Sequence, residues 1–170
     1  TLGLTVPAVG RLHEKRFYDD ATAYADGAGT PSETWSYTFD AFGRELTATQ
    51  STGTASMTVT NTYDDQGQLT AVSSPVGVIG YSYDNLGRRI QTAVFRAGAN
   101  PSIDTPQRTT SFTYDLLGRL ESVIEDRDAS VTSDALLNTG YAYDLMGNLD
   151  STLLPNNILE DYEYDSLNRL

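Results

Sequence analysis

One short phrase recurs six times in this chain and limits what the chain can fold into. Each copy contains an aromatic residue, an Asp, two variable residues, Gly or Asn, and then Arg, Gln or Asn. The copies occupy residues 37–44, 62–68, 81–88, 112–119, 141–148 and 162–169. A phrase repeated at spacings of 20 to 31 residues indicates an array in which every repeat is one supersecondary unit.

The phrase itself predicts a β-hairpin. In Tyr81-Ser82-Tyr83 the aromatic residues alternate with a small one, which places both rings on one face of a strand. Asp84 then has a carboxylate that can accept backbone N–H bonds and begin a turn, and Gly87 can close the turn with positive φ. We therefore predict turn-forming roles for these residues: Asp40, Gly43, Asp64, Gly67, Asp84, Gly87, Asp115, Gly118, Asp144, Gly147, Asp165 and Asn168.

Two copies carry one more residue between the Gly and the first aliphatic residue of the return strand. They read Gly43-Arg-Glu-Leu46 and Gly87-Arg-Arg-Ile90, whereas other copies read Gly-Arg-Leu or Gly-Gln-Leu. A slip of one residue would turn every later side chain to the opposite face of the sheet. We therefore predict a β-bulge in these two hairpins.

Phe112-Thr-Tyr-Asp-Leu-Leu-Gly-Arg-Leu120 resembles the YD repeat of the Rhs family, which also occurs in insecticidal toxin-complex C subunits and in animal teneurins. The resemblance covers residues 35–170, and more loosely begins near Leu4, since Gly10-Arg-Leu12 keeps part of the phrase. It implies an all-β fold in which tandem antiparallel hairpins form a curved or spiralling sheet, a segment of a β-shell. Family shells enclose a toxin or present an adhesive surface, and their repeats have been described as carbohydrate-binding.

The domain organisation follows from the repeats. We expect a single YD-repeat array over residues 1–170, with clear repeats at 35–170 and a degenerate repeat at 4–34. The wider spacings place insertions at 97–102 and 126–130, which are rich in turn-forming residues and should project as loops. A return strand would begin where Leu170 stands, so the chain is expected to be part of a longer polypeptide. Its partners are then the rest of that polypeptide or further copies of itself.

Charge and composition exclude some functions. The net charge is −12, which argues against nucleic acid as a partner because phosphate binding needs clustered Lys and Arg. No apolar stretch is long enough to predict membrane insertion. The chain contains no Cys, so disulfides and thiolate metal sites are excluded. This composition favours a bacterial protein that is secreted or held at the cell surface.

Catalytic chemistry is not indicated, and we predict neither an enzyme nor a cofactor. His13 is the only His, and no nucleophile motif accompanies it. The six phrase Asp residues stand in equivalent positions, whereas a catalytic carboxylate pair needs two different environments. Between Asp126 and Asp134, oxygen-bearing residues alternate as in a calcium loop, but Val131 stands where Gly is expected. We predict no metal site, and calcium binding at 126–134 stays open against a plain acidic loop.

Two functions remain. The first is a non-enzymatic structural role, as part of the wall of a large β-shell or an extracellular or surface scaffold that encloses cargo or presents a surface. The alternative is an adhesive surface that binds carbohydrate or a protein partner, with the option of head-to-tail self-assembly through open sheet edges. Tyr rings offer flat apolar area with a polar tip, which makes these residues the candidate binding surface: Tyr37, Tyr81, Tyr83, Tyr141, Tyr143, Tyr162 and Tyr164.

Overall fold

The computed structural model describes residues 10–19, 29–129 and 136–170, and the regular elements in these ranges are twelve β-strands. The strands lie in the sheet in the order of the chain, and the strand pairs of known register are antiparallel. The predicted all-β fold of tandem antiparallel hairpins is confirmed. The strands are β1 Glu14–Phe17, β2 Glu33–Phe39, β3 Glu45–Thr52, β4 Ala55–Tyr63, β5 Leu69–Ser74, β6 Gly77–Tyr83, β7 Arg89–Phe95, β8 Arg108–Tyr114, β9 Leu120–Asp126, β10 Leu137–Tyr143, β11 Leu149–Leu153 and β12 Leu159–Asp161.

The chain divides into two compact units. The first comprises Thr1–Val78 and Arg96–Asn100, and the second comprises Ile79–Phe95 and Pro101–Leu170. The first unit therefore contains β1 to β5, and the second contains β7 to β12. The expectation of a single repeat array over 1–170 concerns sequence organisation and stays a prediction.

In the first unit the two faces of the sheet differ in chemistry. Tyr37 and its opposite residue Ala48 lie on one face. The other face carries hydroxyl side chains, and two pairs of them hydrogen-bond across strands. Thr38 Oγ1 lies 2.6 Å from Thr47 Oγ1, and the Thr49–Thr58 pair is separated by 2.9 Å. Cross-strand Thr pairs of this kind stabilise a sheet locally.

A bulge lies at the same place in four hairpins, two in each unit. The bulge predicted for the copy Gly43–Leu46 is therefore present, the one predicted for Gly87–Ile90 stays a prediction, and copies without the longer spacing have a bulge as well. The register shifts just before the phrase Asp, where Phe39 pairs with Glu45, Tyr63 with Leu69, Tyr114 with Leu120 and Tyr143 with Leu149. The offset is identical in the four. Glu45 thus occupies the position that Leu takes elsewhere, and the bulge belongs to the hairpin design.

The second unit has a small buried centre. Ala93 and Phe95 of β7 are 6% and 4% exposed. Gly80 permits this packing, because a Cβ at that position would lie 3.1 Å from the Phe95 ring and 3.2 Å from Pro101. The predicted insertion at 97–102 lies between β7 and β8, and Pro101 brings part of it against the strands. The other predicted insertion begins one residue later than expected, since Asp126 still belongs to β9, and part of it lies outside the described residues.

Alternate connections of an antiparallel meander lie at the same ends of the strands. In the second unit the phrase turns follow β6, β8, β10 and β12, so all four lie along one border of that unit, which we call the turn rim. The connections at 101–107 and 154–158 belong to the opposite border of that unit. The repeated groups of the phrase therefore come together at the turn rim.

Candidate functional site

Each phrase Asp is the centre of a compact turn. Asp84 donates its N–H to the carbonyl of Arg88, and its own carbonyl accepts the N–H of Gly87, both at 2.9 Å. Its Oδ1 accepts the backbone N–H groups of Leu86 and Arg88 at 2.9 Å. The same backbone pair of bonds occurs at the other five phrase Asp residues: Asp40, Asp64, Asp115, Asp144 and Asp165.

The residue that closes each turn has left-handed backbone conformation. The φ angle is +80° at Gly87 and +58° at Asn168, which replaces Gly in the sixth copy. Gly and Asn are the residues that adopt this region at least cost. The structure places the remaining turn glycines, Gly43, Gly67, Gly118 and Gly147, in the same region.

The Arg that follows the turn pairs with the second Asp oxygen. Arg119 Nε donates to Asp115 Oδ2 at 2.7 Å, and Arg44 makes the equivalent bond to Asp40 at 2.6 Å. In the fifth copy Asn148 Nδ2 donates to Asp144 Oδ2 at 2.9 Å. Both carboxylate oxygens of Asp40, Asp115 and Asp144 are thereby bonded within their own turns.

These bonds shift the acidity of the carboxyl groups. Partial desolvation raises the pKa of Asp115, but hydrogen bonds from the backbone and side chain of Arg119 outweigh it, so the pKa is lowered overall. The same balance lowers the pKa of Asp40 and Asp84. At Asp144 the Asn148 side chain is the main cause of the lowered pKa, and at Asp165 it is the Arg169 side chain.

The Arg side chain also reaches the next hairpin. The guanidinium carbon of Arg119 lies 4.4 Å from the ring centroid of Tyr143, and Arg88 lies 4.5 Å from Tyr114. In the first unit Arg44 lies 4.5 Å from Tyr63. Flat stacking of a guanidinium on Tyr is a favourable cation–π contact, so each Arg joins the turn of one hairpin to the ring of the next.

The hydroxyl of the same Tyr donates a hydrogen bond to a backbone carbonyl of the preceding hairpin. Tyr143 donates to the carbonyl of Leu120 at 2.9 Å, Tyr114 to Arg89 at 2.8 Å, and Tyr63 to Glu45 at 2.9 Å. Asp, Arg, Tyr and a backbone carbonyl thus form a continuous chain of contacts, which we call the repeat clamp. The sequence pattern predicted pairing or stacking of Arg, but nothing in it indicated the bond from the Tyr hydroxyl to the carbonyl.

The degenerate first copy shares part of this geometry. Gly10 has a φ angle of +82°, and the Arg11 guanidinium lies 5.4 Å from the Phe39 ring. Phe39 has no hydroxyl, so the clamp lacks its final bond there. Residues 1–9 and 20–28 of the proposed degenerate repeat lie outside the described ranges.

Two of the candidate Tyr residues have a small side chain opposite them in their own hairpin. The residue directly opposite Tyr37 is Ala48, and the residue opposite Tyr141 is Thr152. Arg89 instead lies near two aromatic rings. Its guanidinium carbon is 5.9 Å from the centroid of the Tyr81 ring and 5.2 Å from the centroid of the Phe112 ring. All seven candidate residues are half-buried, namely Tyr37, Tyr81, Tyr83, Tyr141, Tyr143, Tyr162 and Tyr164.

Other candidate chemistry finds little support in the described ranges. The carbonyl of His13 accepts the N–H of Tyr37. Asp126 Oδ1 accepts the N–H of Asp128 at 3.1 Å, while residues 130–135 of the alternating oxygen pattern lie outside the described chain. Among the described residues, no group of three or more His, Cys, Asp or Glu side chains could hold a metal ion. The described part of the chain also contains no helix long and apolar enough to cross a membrane.

Comparison with known proteins agrees with this geometry. Residues 63–98 match the family model of the RHS Repeat, while the comparison with curated proteins gave no match. The crystal structure of TcdB2-TccC3-TEV is similar over 89% of this chain, with a TM-score of 0.61 and 21% identity. The crystal structure of TcdB2-TccC3-Cdc42 is similar over 71%, with a TM-score of 0.57 and 19% identity.

This chain spans 7% and 6% of the length of those two solved chains, and identities this low establish the fold alone. The matched segment 63–98 begins at the Tyr of the second phrase copy and includes the whole of the third. The resemblance predicted from the Tyr-Asp phrase is therefore confirmed, and it is carried by residues 63–98, which match the RHS Repeat.

Proposed function

We propose that this chain is a non-enzymatic structural segment, part of the wall of a large β-shell or of an extracellular or surface scaffold that encloses cargo or presents a surface. The repeat clamp is the observation that supports this function. It commits the Asp, Arg and Tyr groups of a hairpin to its own turn and to the neighbouring hairpin. Groups held in this way stabilise an extended sheet and are not available for catalysis.

The wall function also agrees with the small number of buried apolar side chains. Among the described residues, only Val78, Ala93 and Phe95 are buried apolar side chains. Such a chain gains little from a hydrophobic centre and depends on contacts between successive hairpins, as repeat arrays do. We infer that its partner is the remainder of a larger YD-repeat polypeptide, in a bacterial protein that is secreted or displayed at the cell surface.

The test is to isolate the native polypeptide that contains these residues, measure its intact mass, and image it by electron microscopy. A wall segment predicts a mass far above 18.5 kDa and a hollow particle. A native polypeptide near 18.5 kDa, or a large one without an enclosed space, would contradict the shell.

The alternative function is an adhesive surface for carbohydrate or a protein partner. Its support is the partial exposure of the candidate Tyr residues, whose rings could stack on sugar faces. Titration calorimetry with neutral and acidic polysaccharides tests it, with Tyr141→Ala as the variant expected to lose binding and Val76→Ala, an exposed loop residue, as the control. Absence of heat with every polysaccharide would remove this alternative.

Head-to-tail self-assembly belongs to the same alternative. It would join the outer strand β12 of one copy to β1 of another, since unpaired strand edges are templates for further pairing. Electron microscopy of concentrated protein would show filaments if this pairing occurs. Particles of one size at all concentrations would count against it.

A further inference from the structure

Six apolar side chains are almost fully exposed along the turn rim of the second unit. Leu86, Leu117, Met146 and Leu167 stand at the same place in successive turns, with exposed fractions of 78%, 77%, 79% and 70%. Leu116 and Leu145, one position earlier, are 106% and 104% exposed. We call these six residues the apolar ridge. Single exposed Leu residues are ordinary, but a contiguous row of them indicates an interaction surface.

The hairpins themselves do not require this row. Within each turn it is the backbone N–H of the residue that bonds to Asp Oδ1, as at Leu117 and Met146, both within 2.9 Å. The same turn forms in the first unit with Gln66 at the equivalent place and Asp65 one position earlier. The apolar side chains of the ridge therefore serve something other than the turn.

Three of the four phrase Asp residues in the ridge turns form ion pairs with the Arg of their own turn. Arg88 pairs with Asp84 at 2.7 Å, Arg119 with Asp115 at 2.7 Å, and Arg169 with Asp165 at 2.6 Å. Asp144, which is bonded to Asn148, is the exception. Two copies of a chain with net charge −12 repel each other over most of their surface. The turn rim is a border at which such copies can approach with little repulsion.

We propose that the apolar ridge docks against the apolar ridge of a second copy of this chain. Neighbouring phrase turns are two strands apart, which is about 9.5 Å. A second row of apolar side chains with the same spacing would therefore contact every turn of the apolar ridge. A two-fold arrangement would let the tips of one ridge fill the gaps of the other. The inference goes beyond the wall function, because the ridges would pair whether or not the sheet encloses cargo.

The available area sets the strength of this contact. Six side chains that each bury roughly 100 Å² give about 600 Å² per copy. A stable complex of standard size buries about 800 Å² on each partner. The pairing is therefore weak for two separate molecules, and it becomes strong only where the two ridges are held at high effective concentration.

Sedimentation equilibrium of the whole chain over a range of concentrations tests the proposal. The wild type should shift from 18.5 kDa toward twice that mass as concentration rises. Leu116→Asp combined with Leu145→Asp should weaken this association about tenfold or more. These substitutions copy Asp65 of the second turn, so the hairpins should still fold, which circular dichroism checks.

A matched control uses the opposite border of the same unit. Ile103 is 80% exposed in the loop between β7 and β8, and Ile103→Asp should leave the association within about twofold of wild type. The proposal is overturned if the wild type stays monomeric at every concentration. It is equally overturned if Ile103→Asp weakens association as much as the ridge variant does.

Disulfide trapping gives an independent measurement, because the natural chain has no Cys. Leu117→Cys should form covalent dimers under mild oxidation much faster than Ile103→Cys. Vesicles of neutral phosphatidylcholine provide the remaining comparison. A ridge that binds such vesicles while showing no self-association or cross-linking would be a lipid-binding surface, which would overturn pairing with a second copy. None of these results depends on whether the native polypeptide forms a shell, so the two proposals can fail separately.

Discussion

The guanidinium carbon of Arg119 lies 4.4 Å from the centre of the Tyr143 ring, although the two residues belong to different hairpins. Arg119 is fixed by its bond to Asp115 in the turn after β8. Tyr143 is fixed by the bond from its hydroxyl to Leu120. The contact links the geometry of one turn to the position of the next strand, and it requires the planar cation that ends this copy of the phrase.

Replacing Arg119 with Gln is expected to destabilise the chain, because the variant loses both the ion pair and the stacking on Tyr143. Arg169→Gln is the matched control, since Arg169 pairs with Asp165 and no ring stacking is found for it in the described structure. Because the ion pair of Arg169 is more exposed than that of Arg119, the difference between the two variants is an upper bound on the stacking contribution, which should be about 0.5–1 kcal/mol. Urea unfolding measures both. Equal losses would show that stacking contributes nothing.

Removing the hydroxyl of Tyr143 tests the last link of the clamp. Tyr143→Phe leaves the ring in place but deprives the carbonyl of Leu120 of its donor, at an expected cost of about 0.5–1.5 kcal/mol. Tyr141→Phe is the comparison, because no hydrogen bond from the Tyr141 hydroxyl is found in the described structure. Thermal unfolding should show a lower Tm for Tyr143→Phe alone. A similar fall in both variants would assign the effect to general Tyr packing.

The backbone at Gly118 predicts a ranking of substitutions. Its φ angle is +81°, a conformation that costs other residues about 1–2 kcal/mol, and a β-branched residue is least suited to it. Asn occupies the equivalent site at residue 168 with φ of +58°. We expect Gly118→Asn to be tolerated, and Gly118→Val to lower the free energy of unfolding most. If Val and Asn proved equally stable, positive φ would not be the constraint.

How much of the fold and of the repeat clamp could be predicted from the sequence depends on how far apart in the chain the interacting residues lie. Local geometry was accessible, because Asp84 and Gly87 act within four residues and their residue types specify a turn. The presence of a bulge in hairpins with the shorter spacing was not, because only the extra residue before Leu46 gives a sign of it in the sequence. The structure shows that Glu45 replaces Leu at a register shared by four hairpins.

Contacts between repeats were harder to predict. The bond from Tyr143 to the carbonyl of Leu120 spans 23 residues, and a backbone carbonyl leaves no mark in a sequence. The exposure of Leu116 and Leu145 could not be predicted either, because an apolar residue in a sequence is equally compatible with a buried and an exposed position. Only the folded hairpin reveals that both side chains are in solvent.

The lowered pKa of the turn Asp residues predicts how stability depends on pH. A carboxyl group whose pKa is lower in the folded chain binds protons more readily in the unfolded chain, so unfolding is favoured as these groups become protonated. The stabilising contribution is fully present above the unfolded pKa of about 3.9 and is lost as the pH falls through the folded values below it. We expect the free energy of unfolding in urea to decline below about pH 4.

Asp115→Asn provides the control for this pH dependence. The variant removes one carboxyl with a lowered pKa while keeping an oxygen that can accept the backbone N–H groups of the turn. It should be less stable than wild type at pH 7, because the bond from Arg119 loses its charge. The difference between the two proteins should then shrink as the pH falls below about 4, where the wild-type carboxyl also becomes neutral. A difference that stays constant down to the acid limit would show that the charge of Asp115 does not stabilise its turn.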